Sequence, residues 1–345
     1  MKPFDIRCQS GGKNQAQRGA ALLAAMLTVT LVATFAATAL WQQFRSIEVE
    51  TAERGRVQSG WVLTGALDWS RLILREDARS GGADHLAEPW AVPLNEARLS
   101  SFLAVDKTAT DTERDAFLSG QIIDLQGRLN VTNLIEGNAI SDAELLSFGR
   151  LFELLGLPPE QLSLLSSQLL LASRASQAAQ TPQTPPGTAQ PVVVVDGSTP
   201  LMPRRVEQLL WFGLQADTLA LLDPYITLLP ARTPLNLNTA SAEAIYASAE
   251  GIELADAQRL VTARERSHFR TLADAERTLG GLPGRLNGNR QGVSSRFFQV
   301  RGVLRLESIV VQERSLVQRD GLVVRTLWRD RGVIPDAPAG IGPRP

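Results

Sequence analysis

His85, His268 and Cys8 are the only imidazole and thiol side chains in the sequence. A lone cysteine closes no intramolecular disulfide and supports no Cys-based zinc site. Two histidines set far apart give a histidine-based catalytic centre little support, and His85 reads as a partly exposed loop residue. Gly-x-Ser-x-Gly, a Walker loop and His-Glu-x-x-His are all absent. The chain therefore reads as a non-enzyme. Oxygen ligands are more plentiful: Asp124, Asn130 and Asn133 could hold a hard cation, but their spacing is not that of an EF-hand loop. Asn and Asp at strand ends more commonly cap turns.

Phosphate recognition is the next chemistry to weigh. Pro234-Leu235-Asn236-Leu237-Asn238-Thr239-Ala240 ends a loop, and Ser241 or Thr239 caps the helix that follows. This run resembles a helix-hairpin-helix module, in which a Gly-hydrophobic-Gly turn aims backbone N–H groups at a phosphate. Here the turn is Gly251-Ile252-Glu253, so a carboxylate stands where the phosphate would sit. From Ser241 to Leu279, seven Asp/Glu face five Arg (Arg259, Arg264, Arg266, Arg270 and Arg277), a net charge of -2. The whole chain balances 35 Lys+Arg against 36 Asp+Glu. Nucleic-acid affinity rests on phosphate neutralisation, so no nucleic-acid partner is expected. The five arginines read as a solvated helix face with intrahelical pairs.

At the N-terminus, 21 residues from Ala20 to Leu40 carry no charge, matching the roughly 20 that a helix needs to cross a bilayer core. Thr28, Thr30, Thr34 and Thr38 are tolerated there because a hydroxyl can bond back to its own helix. Lys2, Arg7, Lys13 and Arg18 precede the run against Asp5 alone. The positive-inside rule leaves the first 19 residues in the cytoplasm and sends the remainder across. The run is too long for a secretory signal core, and Arg18-Gly19 abuts its apolar edge.

That arrangement resembles the leader of type IV pilins and type II secretion pseudopilins. The resemblance implies cleavage between Gly19 and Ala20 by prepilin peptidase, N-methylation at Ala20 and loss of Cys8. The fifth mature position is Ala24, where most members of those families carry a Glu that pairs with a neighbouring subunit's amine. An unpaired carboxylate in a membrane is costly, so its absence fits a subunit with no neighbour above it. This departure, the Leu86-x-Glu88-x-Trp90-Ala91-x-Pro93 segment and the Ile122-x-Asp124-x-Gln126-Gly127-Arg128-x-Asn130 segment are similar to the protein K family of minor pseudopilins. The resemblance covers nearly the whole chain and implies a tip subunit of the periplasmic pseudopilus in the cell inner membrane. Its implied partners are the I- and J-type minor pseudopilins, the inner-membrane secretion platform and secreted substrates. Calcium is the cofactor associated with that family, and the resemblance assigns it no ligands in this chain. The alternative is a type IV pilus or DNA-uptake component that holds DNA through its helix-hairpin-helix-like region.

These residues need a scaffold. Val57, Trp61, Ala66, Trp69 and Ile73 recur at helical spacing, predicting one helix from Ala20 to Arg79 with Trp61 and Trp69 on its assembly face. Ser80-Gly81-Gly82 ends it with a left-handed cap. Pro89 and Pro93 make the next stretch a crossing segment anchored by Trp90. Residues 120–131 predict a hairpin around Gln126-Gly127, and Ser141-Asp142-Ala143-Glu144 offers a capping box. Helices follow over Pro159–Arg174 and Val206–Leu222. Between them, Ser176–Pro200 carries five prolines, a composition that buries no core, with Val192–Val195 as a short strand or docking patch. Alternation resumes from Ser295, with turns at Glu313-Arg314-Ser315 and Arg319-Asp320-Gly321.

The expected architecture is α+β: a long N-terminal helix, transmembrane and then amphipathic, packed on a small antiparallel pilin-like sheet interrupted by a large all-helical insertion (helix-hairpin-helix/SAM-like). The expected segments are a leader (1–19), a span (20–40), the rest of the stem (41–79), the first part of the head (80–134), the insertion (135–294) with its Pro-rich loop (176–200), returning strands (295–330) and a disordered tail (331–345).

Overall fold

The computed structural model describes residues 16–99, 116–180, 200–280, 284–306 and 309–334, and Val192–Val195, most of the leader and nearly all of the tail lie outside them. The chain divides into two units, residues 1–60 and 61–345. Helix α1 spans Ala16–Ser80. Gly55, Gly60 and Gly65 do not interrupt it. In the first unit its apolar stretch is exposed along its length, with a peak mean hydropathy of 2.2. Each of the four threonines donates its Oγ1 hydrogen to a carbonyl one turn back, at 2.8–2.9 Å. Those hydroxyls thereby leave no unmet donor toward lipid. The helix stops where expected, at Gly81 (φ +65°) and Gly82 (φ +119°).

In the second unit, β1 (Leu94–Arg98) and β2 (Ala116–Asp124) open an antiparallel sheet. The chain then leaves it through a short 3₁₀ turn, Leu125–Gly127. The expected hairpin does not form, because Asp124 accepts the N–H of Gln126 and the strand after the turn, β3 (Leu129–Asn130), pairs in parallel with Ile226–Thr227. Next come β4 (Ile135–Glu136), β5 (Ala139–Ile140), α2 (Asp142–Leu154) and α3 (Pro159–Gln180). Ser141 heads α2 without capping it. Its hydroxyl donates to Glu136 and the expected box partner Glu144 is buried against Arg290. Val206–Leu222 is not one helix: a 3₁₀ stretch ends at Gly213 (φ +89°), where any Cβ would strike Leu164, and α4 covers Ala216–Leu222. Then follow β6 (Ile226–Thr227), β7 (Leu235–Asn236), α5 (Ala242–Ser248), α6 (Leu254–Arg266), α7 (Leu272–Thr278) and β8 (Gln291–Gly292). These elements share one core that includes Phe148, Leu165, Leu169, Leu237, Ile245 and Leu260.

The chain returns as β9 (Phe297–Leu306), β10 (Ile309–Asp320) and β11 (Val323–Ile334), giving the sheet order β1-β2-β9-β10-β11. Because β2 and β9 are hydrogen-bonded neighbours from Ala116↔Leu306 to Asp124↔Phe298, the whole helical region leaves and re-enters between adjacent strands. Glu313-Arg314-Ser315 is no turn but the middle of β10, and β11 continues to Ile334, past the expected end of the strands. One sheet face, with Leu118, Ile122, Phe298, Val300, Leu304 and Val317, packs on the stem. The stem meets it with Leu63, Leu67 and Leu74, while Trp61 and Trp69 point away and are exposed. Gly302 explains the choice of face: a Cβ there would lie 3.1 Å from Leu63, so glycine lets the stem approach.

Candidate functional site

The residues that sequence analysis singled out gather mainly where the stem ends. Glu88 and Trp90 meet directly, the Trp90 indole donating to Glu88 Oε2 at 2.7 Å, which also accepts the His85 N–H at 2.8 Å. Trp90 is buried and lies edge-on to Phe298, with ring centroids 5.2 Å apart. The crossing segment is thus pinned to the sheet by an aromatic plug whose one polar atom is satisfied.

Beside the plug, Arg319 from β10 places a buried guanidinium between Asp77 of the last stem turns and Asp84 of the loop. It also donates to the Ser295 carbonyl at 2.8 Å and covers the Phe298 ring at 4.9 Å. Burial pushes the Asp77 and Asp84 carboxyls up, and Arg319 works against that shift. Asp84 Oδ2 accepts the Ser295 N–H at 2.6 Å. Next to it, Asp124 accepts from Gln126 N, Asn236 Nδ2, Thr239 Oγ1 and Ser295 Oγ at 2.6–3.0 Å. One centre therefore ties together the stem, the loop, β2, the insertion and β10.

Asp77, Asp84 and Glu88 present oxygens within 4.8 Å of one another. They do not fit a calcium ion, which takes six to eight oxygen ligands. Arg319, the Ser295 N–H, the Trp90 indole and the His85 N–H already engage these carboxylates. The other oxygen set is spent as well. Asn130 Oδ1 accepts from Leu229 N and Thr132 N, and Asn133 exchanges two hydrogen bonds with Thr233.

The two histidines come together. Their rings stack at 3.7 Å with planes 10° apart, so His85, a partly exposed loop residue as expected, also packs against a distant side chain. Burial lowers both below the ordinary imidazole value, and for His268 the neighbouring His85 adds to the shift. Their spacing in sequence carries no hint of this contact.

The Asn-x-Asn run points inward. Asn238 exchanges hydrogen bonds with the Phe269 backbone at 2.9 Å in both directions, and Ser241 accepts the Ala244 N–H as N-cap. Gly251 (φ +72°) turns the chain into Glu253, which shares a capping box with Asp256. Arg264 is partly buried, donates to the Leu237 and Ala240 carbonyls at 2.6 and 2.5 Å, and is pushed down to about 10 by desolvation. Arg259 and Arg277 pair with Asp256 and Asp274. In the first unit, Gly19, Ala20 and Ala24 lie exposed on α1, and the backbone of Arg18 belongs to the same helix.

Two family models described as type II secretion system (T2SS), protein K, match residues 127–231 and 235–294. The Pseudomonas aeruginosa type II secretion system protein K is 27% identical over 326 residues, covering 91% of this chain and 90% of that protein. The chain belongs to the type II secretion system protein K family. Protein K is a minor pseudopilin of that system. The fold agrees: a chain in the crystal structure of the GspK-GspI-GspJ complex from enterotoxigenic Escherichia coli superposes with a TM-score of 0.57 at 16% identity, covering 81% of this chain and 98% of that one. The family models fall on the helical insertion, which Asn236 ties to Asp124 at the end of β2 and Asn238 braces from within at Phe269.

Proposed function

We propose that this minor pseudopilin caps the tip of the periplasmic pseudopilus and limits its growth. The observation that carries the reading is the uncharged, fully exposed apolar span of α1, which requires lipid or partner stems around it. In this reading α1 crosses the inner membrane once, with its N-terminus cytoplasmic and its head periplasmic. Prepilin peptidase cuts between Gly19 and Ala20, and Ala20 is methylated. Ala24 then leaves the position above without a carboxylate to receive another subunit's amine. The chain performs no catalysis. Its insertion, with α5 and α6 as a helix-hairpin-helix-like pair, supplies the bulk that blocks further addition. The GspK-GspI-GspJ complex of the structural relative supports I- and J-type pseudopilins as partners. Trp61 and Trp69, exposed on the face of α1 opposite the sheet, are the residues this chain would offer them.

The test is the intact mass and N-terminal sequence of the protein from membranes containing prepilin peptidase, with I- and J-type subunits co-expressed. A methylated start at Ala20 and co-purification of both partners are expected. A start at Met1 or near Leu40 would sink the reading.

A further inference from the structure

On the sheet face opposite the stem, a cavity of about 520 Å³ opens between β9, β10, β11 and the insertion. Its charges are unequally matched. Arg314 pairs with Glu207 at 2.9 Å and Asp330 at 3.3 Å, and Arg205 shares Asp330 at 3.0 Å. Arg128 donates to the Asp223 carbonyl at 3.0 Å. Arg301, half-buried in the wall, has no carboxylate at ion-pair distance among the described residues. It donates to Gln299 Oε1 at 2.7 Å. Burial and the nearby Arg128 and Arg314 lower its pKa, against the opposing pull of Asp223 and Glu207 farther off. A second donor is also unmet. Trp328 lines the same cavity, and its Nε1 is buried with no hydrogen-bond partner among the described residues. Leaving a buried indole N–H unpaired costs free energy, as does holding a guanidinium without a counter-ion. The first cost falls when an anionic oxygen enters beside Arg301, and the second when the wall atoms that shield Nε1 give way to that oxygen. The rest of the wall includes Leu219, Ile226 and Leu316, which favour an apolar body behind that oxygen.

We propose that this cavity is a binding site for an apolar monocarboxylate, with Arg301 and the Trp328 indole N–H as the donors to its oxygens. The Arg301 fork suits a single carboxylate, with Arg128 and Arg204 adding positive charge to the same wall, and the aliphatic residues accept the group that carries it. A planar carboxylate also matches the guanidinium fork. The site lies beyond the pseudopilin reading and does not depend on it. Two sources share this chemistry: the C-terminal residue of a peptide and a short fatty acid.

The test is calorimetric titration of the full chain in detergent at low salt with N-acetyl-leucine, hexanoate, N-acetyl-leucinamide and inorganic phosphate. Saturable binding of a carboxylate is expected, at least about tenfold weaker for the amide and for Arg301→Gln. Trp328→Phe, which keeps the aromatic packing, should weaken binding by about threefold or more. The tighter of the two carboxylates names the source. Absence of saturable binding by both, equal binding of the amide, tighter binding of phosphate, or unchanged affinity in a folded Arg301→Gln variant would overturn the proposal.

Discussion

Arg319 and Arg301 stand on neighbouring strands of one sheet, face opposite sides, and meet opposite electrostatic surroundings. Arg319 is enclosed by Asp77, Asp84 and the Ser295 carbonyl, on the side where the stem packs. Arg301 faces Gln299 and two other arginines, on the side of the open cavity. Burial alone does not distinguish a structural charge from a functional one. Arg319 pays its desolvation cost through permanent partners, whereas Arg301 keeps that cost open until something enters. The polar centre under the stem is a joint, and the cavity is a receptor.

The comparison is tested most severely at Arg319. Arg319→Met leaves Asp77 and Asp84 buried without their cation, and denaturant unfolding should show a loss of about 3–5 kcal/mol. A loss within error would mean that the two carboxylates are not held by it. Gly127→Ala comes next. A Cβ at Gly127 would lie 2.9 Å from Thr239 Oγ1 and 3.0 Å from its carbonyl, driving a wedge into the Asp124 network. Unfolding free energy should drop by about 1–3 kcal/mol.

A smaller effect is expected from the stacked histidines. Their folded pKa values lie below the ordinary imidazole value of about 6.5, so the unfolded chain binds more protons in the window beneath it. Stability should therefore fall as pH drops below about 6.5 and through the lowered folded values. The groups facing the pair include Asp77, Asp84 and Glu88, which oppose this shift, and Arg270, which adds to it. Thermal melts between pH 5 and 7.5 should show this slope, and His268→Phe should flatten it. The smallest change belongs to Arg301→Gln. Without ligand it should leave stability unchanged or raise it by about 1 kcal/mol, since it removes an unmatched charge. A large loss would show that Arg301, like Arg319, has a structural role.

Local features were readable. The uncharged run, its threonines, the Gly81-Gly82 stop, the Ser241 cap and the Trp90 anchor each follow from neighbouring residues and helix or turn chemistry. Where such reasoning failed, a distant partner had intervened. Glu144 would have completed a capping box with Ser141, but Arg290 takes it. Gln126-Gly127 would have turned a hairpin, but Thr239 and Pro234 from the insertion engage the turn. Periodicity marked the stem as amphipathic, but it did not say which residues meet the sheet: Leu63, Leu67 and Leu74 are buried because Gly302 admits the helix on that side.

The centre beneath the stem was invisible beforehand for the same reason. Arg319 lies 242 positions from Asp77 and 235 from Asp84, and no periodicity links them. The sequence by itself determined the apolar span, the helix ends and the alternation of the returning strands. These depend on backbone geometry and on whether a residue prefers water. Only the tertiary structure decided which stem face is buried, that the histidines stack, and that Arg319 is paired while Arg301 is not. Those outcomes depend on which distant segments are brought within a few ångströms, where Coulomb attraction and desolvation act most strongly.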